Sequence, residues 1–350
     1  MTYYSHPEFK DHEQVAYCFD KTTGLKAIIA IHNTVLGPSL GGTRMWMYKD
    51  EDEALTDVLR LSRGMTYKAS VAGLSLGGGK AVIIGDPNKD KTREMLLAYG
   101  RFIEGLAGRY ITSKDVGTTV EDLAIIRTTT KYVTGVEPAH GGSGDPSPMT
   151  GYGVYVGIKA CLKEMTGSDS LSGKTVAVQG AGSVALYLCE HLAKEKARIV
   201  ITDIDPEKVQ AVVRKYGASS VPPDRIYDVE ADIFSPCAMG AIVNDKTIPR
   251  FKFSIIAGGA NNQLSDESQH GRKLLKRGIL YAPDYVINAG GLINVADELN
   301  GYSFDRARKK TSRIYDTLLE IFSIAKKENI STHEASNRLA ENRITKKVRT

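Results

Sequence analysis

Lys68 and Lys80 are separated by eleven residues, Ala69 to Gly79, which carry no other charge and end in three consecutive glycines. Lysine is normally kept at the water interface, so two of them framing an apolar stretch suggest a buried cationic pocket. One ammonium there could hold an anionic substrate. It would also push down the pKa of its neighbour, leaving a neutral amine able to take a proton. The competing reading of such a pair is a solvated face beside a flexible turn. A nucleotide-binding pattern about 100 residues downstream favours the pocket.

That pattern is Gly180-Ala181-Gly182-Ser183-Val184-Ala185, a fit to G-x-G-x-x-A. It follows a strand-like run, opens a helix-like run, and precedes a second strand that ends at Asp203, 23 residues after Gly180. This is the full context of a Rossmann dinucleotide site. Gly180 permits the tight turn, Gly182 lets the backbone approach a pyrophosphate at the helix start, and Ala185 allows close packing of helix on strand. Asp203 can accept from both hydroxyls of the adenosine ribose and would repel a 2′-phosphate, so NAD is favoured over NADP. Two further loops suit the same crevice: Ala257 to Gln263, with Asn261 and Asn262, and Asn288-Ala289-Gly290-Gly291. Amides with glycines are also ordinary turn material. Cys237, beside Ala238, has no histidine near it in sequence and reads as pocket wall rather than nucleophile.

The elements that must position these residues alternate in type. A strand over Leu25–Ile31 is followed by a loop rich in glycine and proline, Leu36–Arg44. Leu55, Val58, Leu59, Ser62 and Met65 mark one face of a helix that delivers Lys68 near its end. Ala81–Ile84 is a short strand, Met95 to Leu106 a helix, and Arg109–Thr112 a strand with Asp115 just beyond it. Thr118 to Glu121 has capping-box spacing for a third helix. Lys68, Lys80 and Asp115 thus all stand at element ends, where α/β proteins place chemistry.

A stretch dense in breakers, Gly141–Pro148, predicts the domain boundary. Beyond it, a helix carries Val154, Ile158, Cys161, Leu162 and Met165. Then come a strand at Thr175–Gln179, a helix at Ser183–Lys194, a strand at Ile199–Thr202 and a helix capped by Asp205-Pro206. Short strands at Asp232–Ser235, Ser254–Ala257 and Ile279–Tyr281 complete a parallel sheet covered by helices. A helix through Ile314 to Ala325 and another opened by Ser331 and Glu334 close the chain. The expected fold is therefore α/β in two domains. Residues 1–148 form a substrate-binding and oligomerisation domain and 149–329 a Rossmann-type NAD-binding domain, with a cleft between them. The last helix, 330–350, packs back on the first domain.

Composition excludes several other classes. The chain has 350 residues, 46 basic and 41 acidic, for a net charge of +5. The two signs are interspersed, so no nucleic-acid face is implied. The basic end, Lys346-Lys347-Val348-Arg349, reads as a solvated tail. No run approaches a membrane span, and the N-terminus from Met1 lacks a signal-peptide pattern. Four scattered cysteines with no CxxC fit a reduced cytoplasm, and no histidine pair has metal-ligand spacing; no metal is expected.

Longer strings carry a resemblance. Gly41-Gly42-Thr43-Arg44-Met45, Gly64-Met65-Thr66-Tyr67-Lys68, Gly77-Gly78-Gly79-Lys80, Asp115-Val116-Gly117-Thr118, Tyr281 to Gly291 and Ala296-Asp297-Glu298 resemble the Glu/Leu/Phe/Val amino-acid dehydrogenases. The likeness runs from about Glu13 to Arg343 and is strongest toward the leucine-specific branch. It implies reversible oxidative deamination of an L-amino acid to its 2-oxo acid, with reduction of NAD and release of ammonia. It further implies that Lys68 holds the substrate α-carboxylate, supported by the backbone of Gly41 and Gly42 and by Asn262. Lys80 would be the general base for the attacking water, and Asp115 would assist proton transfer at the amino group. By the same resemblance Leu40, Met65, Ser113, Leu292 and Val295 line the side-chain pocket. Gly180 to Ala185, Asp203, Cys237, Ala238, Asn261 and Asn288 hold the cofactor. Where the glutamate enzymes carry a further lysine this chain has Leu40, which implies an apolar substrate side chain.

Thr43, Leu36 and Asp115–Thr119 are similar to the leucine enzymes, which implies branched-chain substrates. Leu292 and Gly79 are more like the phenylalanine enzymes, and Ser113 replaces an alanine or glycine. An aromatic amino-acid dehydrogenase is accordingly the alternative within the family. From another class, a non-catalytic NAD-responsive protein would need the dinucleotide unit but no base such as Lys80. The resemblance also implies a homo-oligomer, commonly an octamer.

Overall fold

The computed structural model describes residues 3–348 and divides into two compact units. Unit 1 comprises residues 1–145, 294–304 and 340–350; unit 2 comprises 146–293 and 305–339.

Unit 1 is built from β1 (Gln14–Asp20), β2 (Leu25–Asn33), β3 (Ser39–Trp46), α1 (Glu51–Val71), β4 (Gly77–Ile84), α2 (Arg93–Gly105), β5 (Tyr110–Lys114) and α3 (Val120–Arg127). The sheet order is β1-β2-β4-β3-β5, with β1/β2 and β2/β4 antiparallel and β3/β4 and β3/β5 parallel. Side-chain alternation sorts each strand between two helical layers. Ile28, Ala30 and Val82 pack with Leu55, Val58 and Leu59 of α1. Ala27, Ile29, Ile31, Ala81, Ile83 and Met45 pack with Met95, Tyr99 and Ile103 of α2 and Leu123 of α3. Burial on both faces explains why β2 reads as a continuous apolar run.

Two expectations change here. Ser39–Trp46 is a strand, although its glycines and Pro38 read as a loop. It is held in the middle of the sheet because Gly41 and Gly79 touch: a Cβ on Gly41 would lie 1.7 Å from the Gly79 carbonyl oxygen. Glycine here marks close backbone approach, not a turn. The cap of α3 is also one residue later, at Thr119, which accepts from the Asp122 N–H while Asp122 accepts from Thr119. Thr118 is committed elsewhere, donating to the carbonyl oxygens of Thr43 and Asp115 and accepting from the Asp115 N–H.

Unit 2 contains α4 (Ser147–Thr166), β6 (Thr175–Gln179), α5 (Ser183–Lys194), β7 (Arg198–Thr202), α6 (Pro206–Tyr216), β8 (Ser219–Ser220), β9 (Ile233–Pro236), β10 (Ile255–Ile256), α7 (Glu267–Lys276), β11 (Leu280–Tyr281) and α8 (Asp284–Ile287). After α9 (Gly290–Asp297) follow α10 (Phe304–Ser312), α11 (Ile314–Glu328) and α12 (Thr332–Val348). The six strands are all parallel in the order β11-β10-β9-β6-β7-β8. This is the doubly wound arrangement, with its topological switch between β6 and β9.

The chain returns to unit 1 twice, so a single uninterrupted domain over 149–329 does not hold. Residues 294–304 belong to unit 1, where the Glu298 carboxylate accepts from the backbone N–H groups of Gly135 (2.9 Å) and Ser143 (2.8 Å). Of the closing helix, residues 340–350 fall in unit 1 and 330–339 in unit 2. The Ser70 hydroxyl donates to the Ala340 carbonyl (2.9 Å), and Arg343 donates to the carbonyls of Ser70 and Leu74 at the end of α1. A guanidinium there satisfies orphan carbonyls and suits the negative end of the helix dipole. Lys346 to Val348 form the last turn of α12 rather than a tail; Arg349, Met1 and Thr2 lie outside the described residues. Among the described residues no helix is long and apolar enough to cross a membrane.

Beneath α1 the rings of His12 and His32 meet edge to face at 4.8 Å, with His12 against the Leu59 carbonyl and His32 bonded to Thr66. Burial lowers the pKa of both, and each other's proximity lowers His32 further, to about 3. Because the folded values are lowered, this stability is complete above the ordinary histidine value of 6.5 and is lost as pH falls toward 3. Thermal melts from pH 7 to pH 5 should show stability falling by about 1 kcal/mol per pH unit through His32, with His12 adding in the same direction. In His32→Asn the pH slope should be shallower; an unchanged slope would contradict the assignment.

Candidate functional site

Lys80 lies on β4, two residues before Val82, and therefore on the sheet face covered by α1. The same alternation puts Leu40, Gly42 and Arg44 of β3 on that face, opposite Thr43, whose hydroxyl meets the buried Tyr99 phenol at 2.7 Å. Gly42 pairs with Ser113 of β5, and Asp115 follows immediately beyond the strand. A Cβ on Gly42 would lie 2.9 Å from the Asp115 Cβ and 2.6 Å from the Lys114 carbonyl oxygen. The glycine thus lets Asp115 fold back over the strand end.

Lys68 arrives from above, in the last turn of α1. The helix can lie so close only because Gly78 lacks a side chain; a Cβ there would be 2.0 Å from the Thr66 backbone nitrogen. Gly78 is therefore the seat of the helix, and all three glycines lie in β4 rather than in a flexible turn. Met65 is half-buried on the same helix, and Leu40 (1 % exposed) and Val295 (8 %) are buried apolar side chains of unit 1.

Lys80 Nζ stands 2.5 Å from Asp115 Oδ2, with the lysine side chain 8 % exposed and the aspartate 22 %. Burial works against ionisation of Asp115, but Lys80 and then Arg44 outweigh it and hold its carboxyl below the usual carboxylate range. Asp115 is thus an anion ready to accept a proton, in direct line with the lysine. Arg44 is a residue for which the sequence reading has no role. Its Nε reaches the same oxygen at 3.3 Å, and its Nη1 donates to Asp57 on α1 at 2.8 Å. Reading Ser39–Trp46 as a strand would have revealed it, since alternation puts Arg44 on the face of Lys80.

Unit 2 gathers a second set of residues at the carboxyl ends of β6, β7 and β9. Gly180 has φ +101°, a conformation only glycine adopts easily, and its Cβ position abuts Ala238 (2.9 Å) and Cys237 (3.1 Å). Gly182 caps α5 without any side-chain bond, and nothing lies within 4 Å of its Cβ position. The first N–H groups of α5, from Ser183 and Val184, thus face an open surface suited to an anion. Asp203 Oδ2 accepts from the Ala181 N–H at 2.6 Å and Oδ1 from the Asp205 N–H at 2.9 Å. A carboxylate has about four acceptor sites, so both oxygens keep capacity for ribose hydroxyls. Ala185 is fully buried against the sheet.

Asn288 Nδ2 donates to Asn261 Oδ1 (2.7 Å) and to the Gly259 carbonyl (3.2 Å), while its own Oδ1 is buried without a partner. A bound group carrying an N–H or O–H donor would satisfy that acceptor. Burial pushes the Cys237 thiol up, so it supplies no thiolate. A dinucleotide therefore fits this end of the sheet: an uncapped helix start, an acidic residue at the neighbouring strand and an orphaned amide oxygen. Asn262, exposed at φ +51°, and the buried Leu292 belong to this unit, whereas the rest of the expected substrate set belongs to unit 1. Among the described residues no cluster of three or more metal-ligating side chains occurs.

Comparison with known proteins places this architecture. The Glu/Leu/Phe/Val dehydrogenase dimerisation domain matches residues 12–132. The Glutamate/Leucine/Phenylalanine/Valine dehydrogenase domain matches 141–207 and 201–350. A leucine dehydrogenase from Geobacillus stearothermophilus is 60% identical over 344 residues, covering 98% of this chain and 94% of that protein. A phenylalanine dehydrogenase from Caldalkalibacillus thermarum is 50% identical over 347 residues, covering 98% and 94%. The crystal structure of L-tryptophan dehydrogenase from Nostoc punctiforme superposes with a TM-score of 0.87 at 50% identity, covering 96% of this chain and 97% of that one. With both halves matched and identity this high along nearly its whole length, the chain belongs to the Glu/Leu/Phe/Val dehydrogenase family and is an amino-acid dehydrogenase, an NAD(P)-dependent oxidoreductase.

Proposed function

We propose that the enzyme oxidises branched-chain L-amino acids, leucine foremost, with NAD, releasing ammonia and the 2-oxo acid in a reversible reaction. The observation that carries the chemistry is the 2.5 Å contact of Lys80 with an ionised Asp115 on a largely buried sheet face. Support for the substrate class comes from Leu40, where a glutamate enzyme needs a cation, and from the 60% identity to a leucine dehydrogenase.

Lys68 holds the α-carboxylate, with the backbone of Gly41 and Gly42 and with Asn262. Asp115 takes a proton from the substrate ammonium. NAD held by the unit 2 residues named below would supply the hydride acceptor for Cα, so that the substrate would become an iminium. Lys80, once it has passed its own proton on, takes the proton of the water that attacks the iminium carbon. The resulting carbinolamine loses ammonia and becomes the 2-oxo acid. Met65, Ser113, Leu292 and Val295 complete the apolar wall around the substrate side chain. Gly180 to Ala185, Asp203, Cys237, Ala238, Asn261 and Asn288 hold the cofactor.

Initial rates of NADH formation with L-Leu, L-Val, L-Ile, L-Phe, L-Trp and L-Glu test this reading. The three branched substrates should lead and L-Glu should give no turnover. One methylene in such a pocket is worth only about 1–3 kcal/mol, so the apolar substrates differ by factors rather than absolutely. Highest kcat/KM for L-Phe or L-Trp would overturn the branched-chain assignment and favour the aromatic alternative.

NAD preference rests on Asp203. In Asp203→Ala the ratio of kcat/KM for NAD over NADP should fall by about 100-fold, through loss of ribose hydrogen bonds and of repulsion toward a 2′-phosphate. An unchanged ratio would remove Asp203 from cofactor selection. We further propose a homo-octamer; the match to a dimerisation domain over 12–132 supports self-association, and the number of copies rests on the family resemblance. Light scattering should return eight copies of the 38.1 kDa chain, and a monomeric mass would contradict it.

A further inference from the structure

Asp115 Oδ2 is shared by two cations. Lys80 Nζ meets it at 2.5 Å and Arg44 Nε at 3.3 Å. The guanidinium is itself tied down, because Nη1 donates to Asp57 Oδ2 at 2.8 Å and the Tyr48 phenol donates to that same oxygen at 2.6 Å. Burial first, and then the bond to Asp57, push the Tyr48 phenol far up, so it stays a donor. The side chains of Arg44, Asp57 and Asp115 are only 25 %, 26 % and 22 % exposed. Asp57 lies on α1 and Arg44 on β3, so the network joins the helix that carries Lys68 in its last turn to the strand beside Lys80. An aspartate at a strand end has rotamer freedom, and an ammonium alone does not fix a carboxylate's orientation. A planar guanidinium locked on its far side does.

We propose that Arg44, anchored by Asp57 and Tyr48, is a positioning residue that fixes the Asp115 oxygen through which protons pass to and from Lys80. This rests on the reading that Lys80 and Asp115 handle the protons of amino-acid oxidation. Arg44 touches neither substrate nor cofactor in that scheme and acts through Asp115.

The test compares wild type, Arg44→Ala, Arg44→Lys, Tyr48→Phe and Asp115→Asn in the full-length enzyme. Each is followed as kcat and KM against pH, with the amino acid that wild type oxidises fastest, and each is checked by thermal melting. For Arg44→Ala the expected result is a fall in kcat of about 100-fold with KM within about threefold, since the defect lies in proton handling rather than in carboxylate binding. The acidic limb of its pH profile should move to higher pH, because Asp115 then keeps its proton longer. Millimolar guanidine should restore at least about tenfold of the lost rate, and Arg44→Lys should recover only part. Tyr48→Phe, which removes one hydroxyl, should lower kcat by several-fold with the limb moved the same way. An Arg44→Ala enzyme that melts like wild type and keeps its kcat and pH limb overturns the proposal. If Arg44→Ala does not fold, unchanged limbs in Arg44→Lys and Tyr48→Phe overturn it. Asp115→Asn separates the two levels. Wild-type turnover in that variant removes the underlying proton pair, whereas its inactivity beside unaffected Arg44 variants removes only the positioning role.

Discussion

Lys80→Ala is expected to lower kcat for amino-acid oxidation by about 10³- to 10⁴-fold while moving the KM of the amino acid by no more than about threefold. Among the described residues the cations against Asp115 Oδ2 are Lys80 at 2.5 Å and Arg44 at 3.3 Å, and a guanidinium stays protonated and cannot replace the amine as a base. Substrate binding survives because the α-carboxylate is assigned to Lys68, on a different element. The fold should also survive, since Arg44 still faces Asp115 and leaves its buried charge partnered. A primary amine such as methylamine should restore part of the rate by occupying the vacated space. The complementary variant Lys68→Ala should behave in the opposite way, with KM raised by about 100-fold and the larger share of its loss in kcat/KM appearing there. Equal turnover by Lys80→Ala and wild type would remove the base assignment.

Gly78→Ala is expected to be strongly destabilising and to disturb the site at the same time. The added methyl would lie 2.0 Å from the Thr66 backbone nitrogen and 2.3 Å from its hydroxyl, and the first of these cannot rotate away. The helix must lift, which costs about 3 kcal/mol or more by overpacking. Lys68 is two residues further along that helix, so the KM of the amino acid should rise together with the loss of melting temperature. Gly64→Ala is the control on the same helix. Its Cβ position meets nothing within 4 Å, and alanine is the better helix former by up to about 1 kcal/mol, so this variant should melt at or slightly above wild type. A Gly78→Ala enzyme as stable as Gly64→Ala would mean that α1 does not rest on the strand.

The two units differ in how openly their sequence announces them. In unit 2 the strands over Thr175–Gln179 and 198–202 are short apolar runs bounded by turn residues. The helices open on recognisable signals, Asp205-Pro206 among them, whose carboxylate accepts from the Glu207 and Lys208 N–H groups. Local chemistry suffices there, so the elements are legible. In unit 1 the interior strand β3 is hidden, because Gly41 and Gly42 are demanded by neighbouring backbone rather than by a turn. A single sequence shows the glycine and not the strand it touches. The edge strand β1 is hidden for a related reason: it pairs on one side only, and Tyr17 and Phe19 are exposed.

Losing β3 to a loop also hides the site's supporting residues. Lys68, Lys80 and Asp115 could be picked out from residue type and position. Arg44, Asp57 and Tyr48 could not, because their meaning depends on which faces of β3 and α1 carry Arg44 and Asp57, and on the β3–α1 connection that brings Tyr48 to Asp57. The shifted cap at Thr119 has the same origin, a tertiary bond from Thr118 to the Thr43 carbonyl that no local spacing reports. The division of residues 294–304 and 340–350 between units is likewise beyond local pattern, since each segment reads as plain helix or turn.

A crystal structure with 4-methyl-2-oxopentanoate bound tests the central claim most directly. The acid group should lie within hydrogen-bond reach of Lys68 Nζ, with carbon 2 about 5 Å from Lys80 Nζ, which leaves room for one water in contact with both. A 2-oxo acid bound elsewhere, or bound with Lys80 turned away from carbon 2, would contradict it.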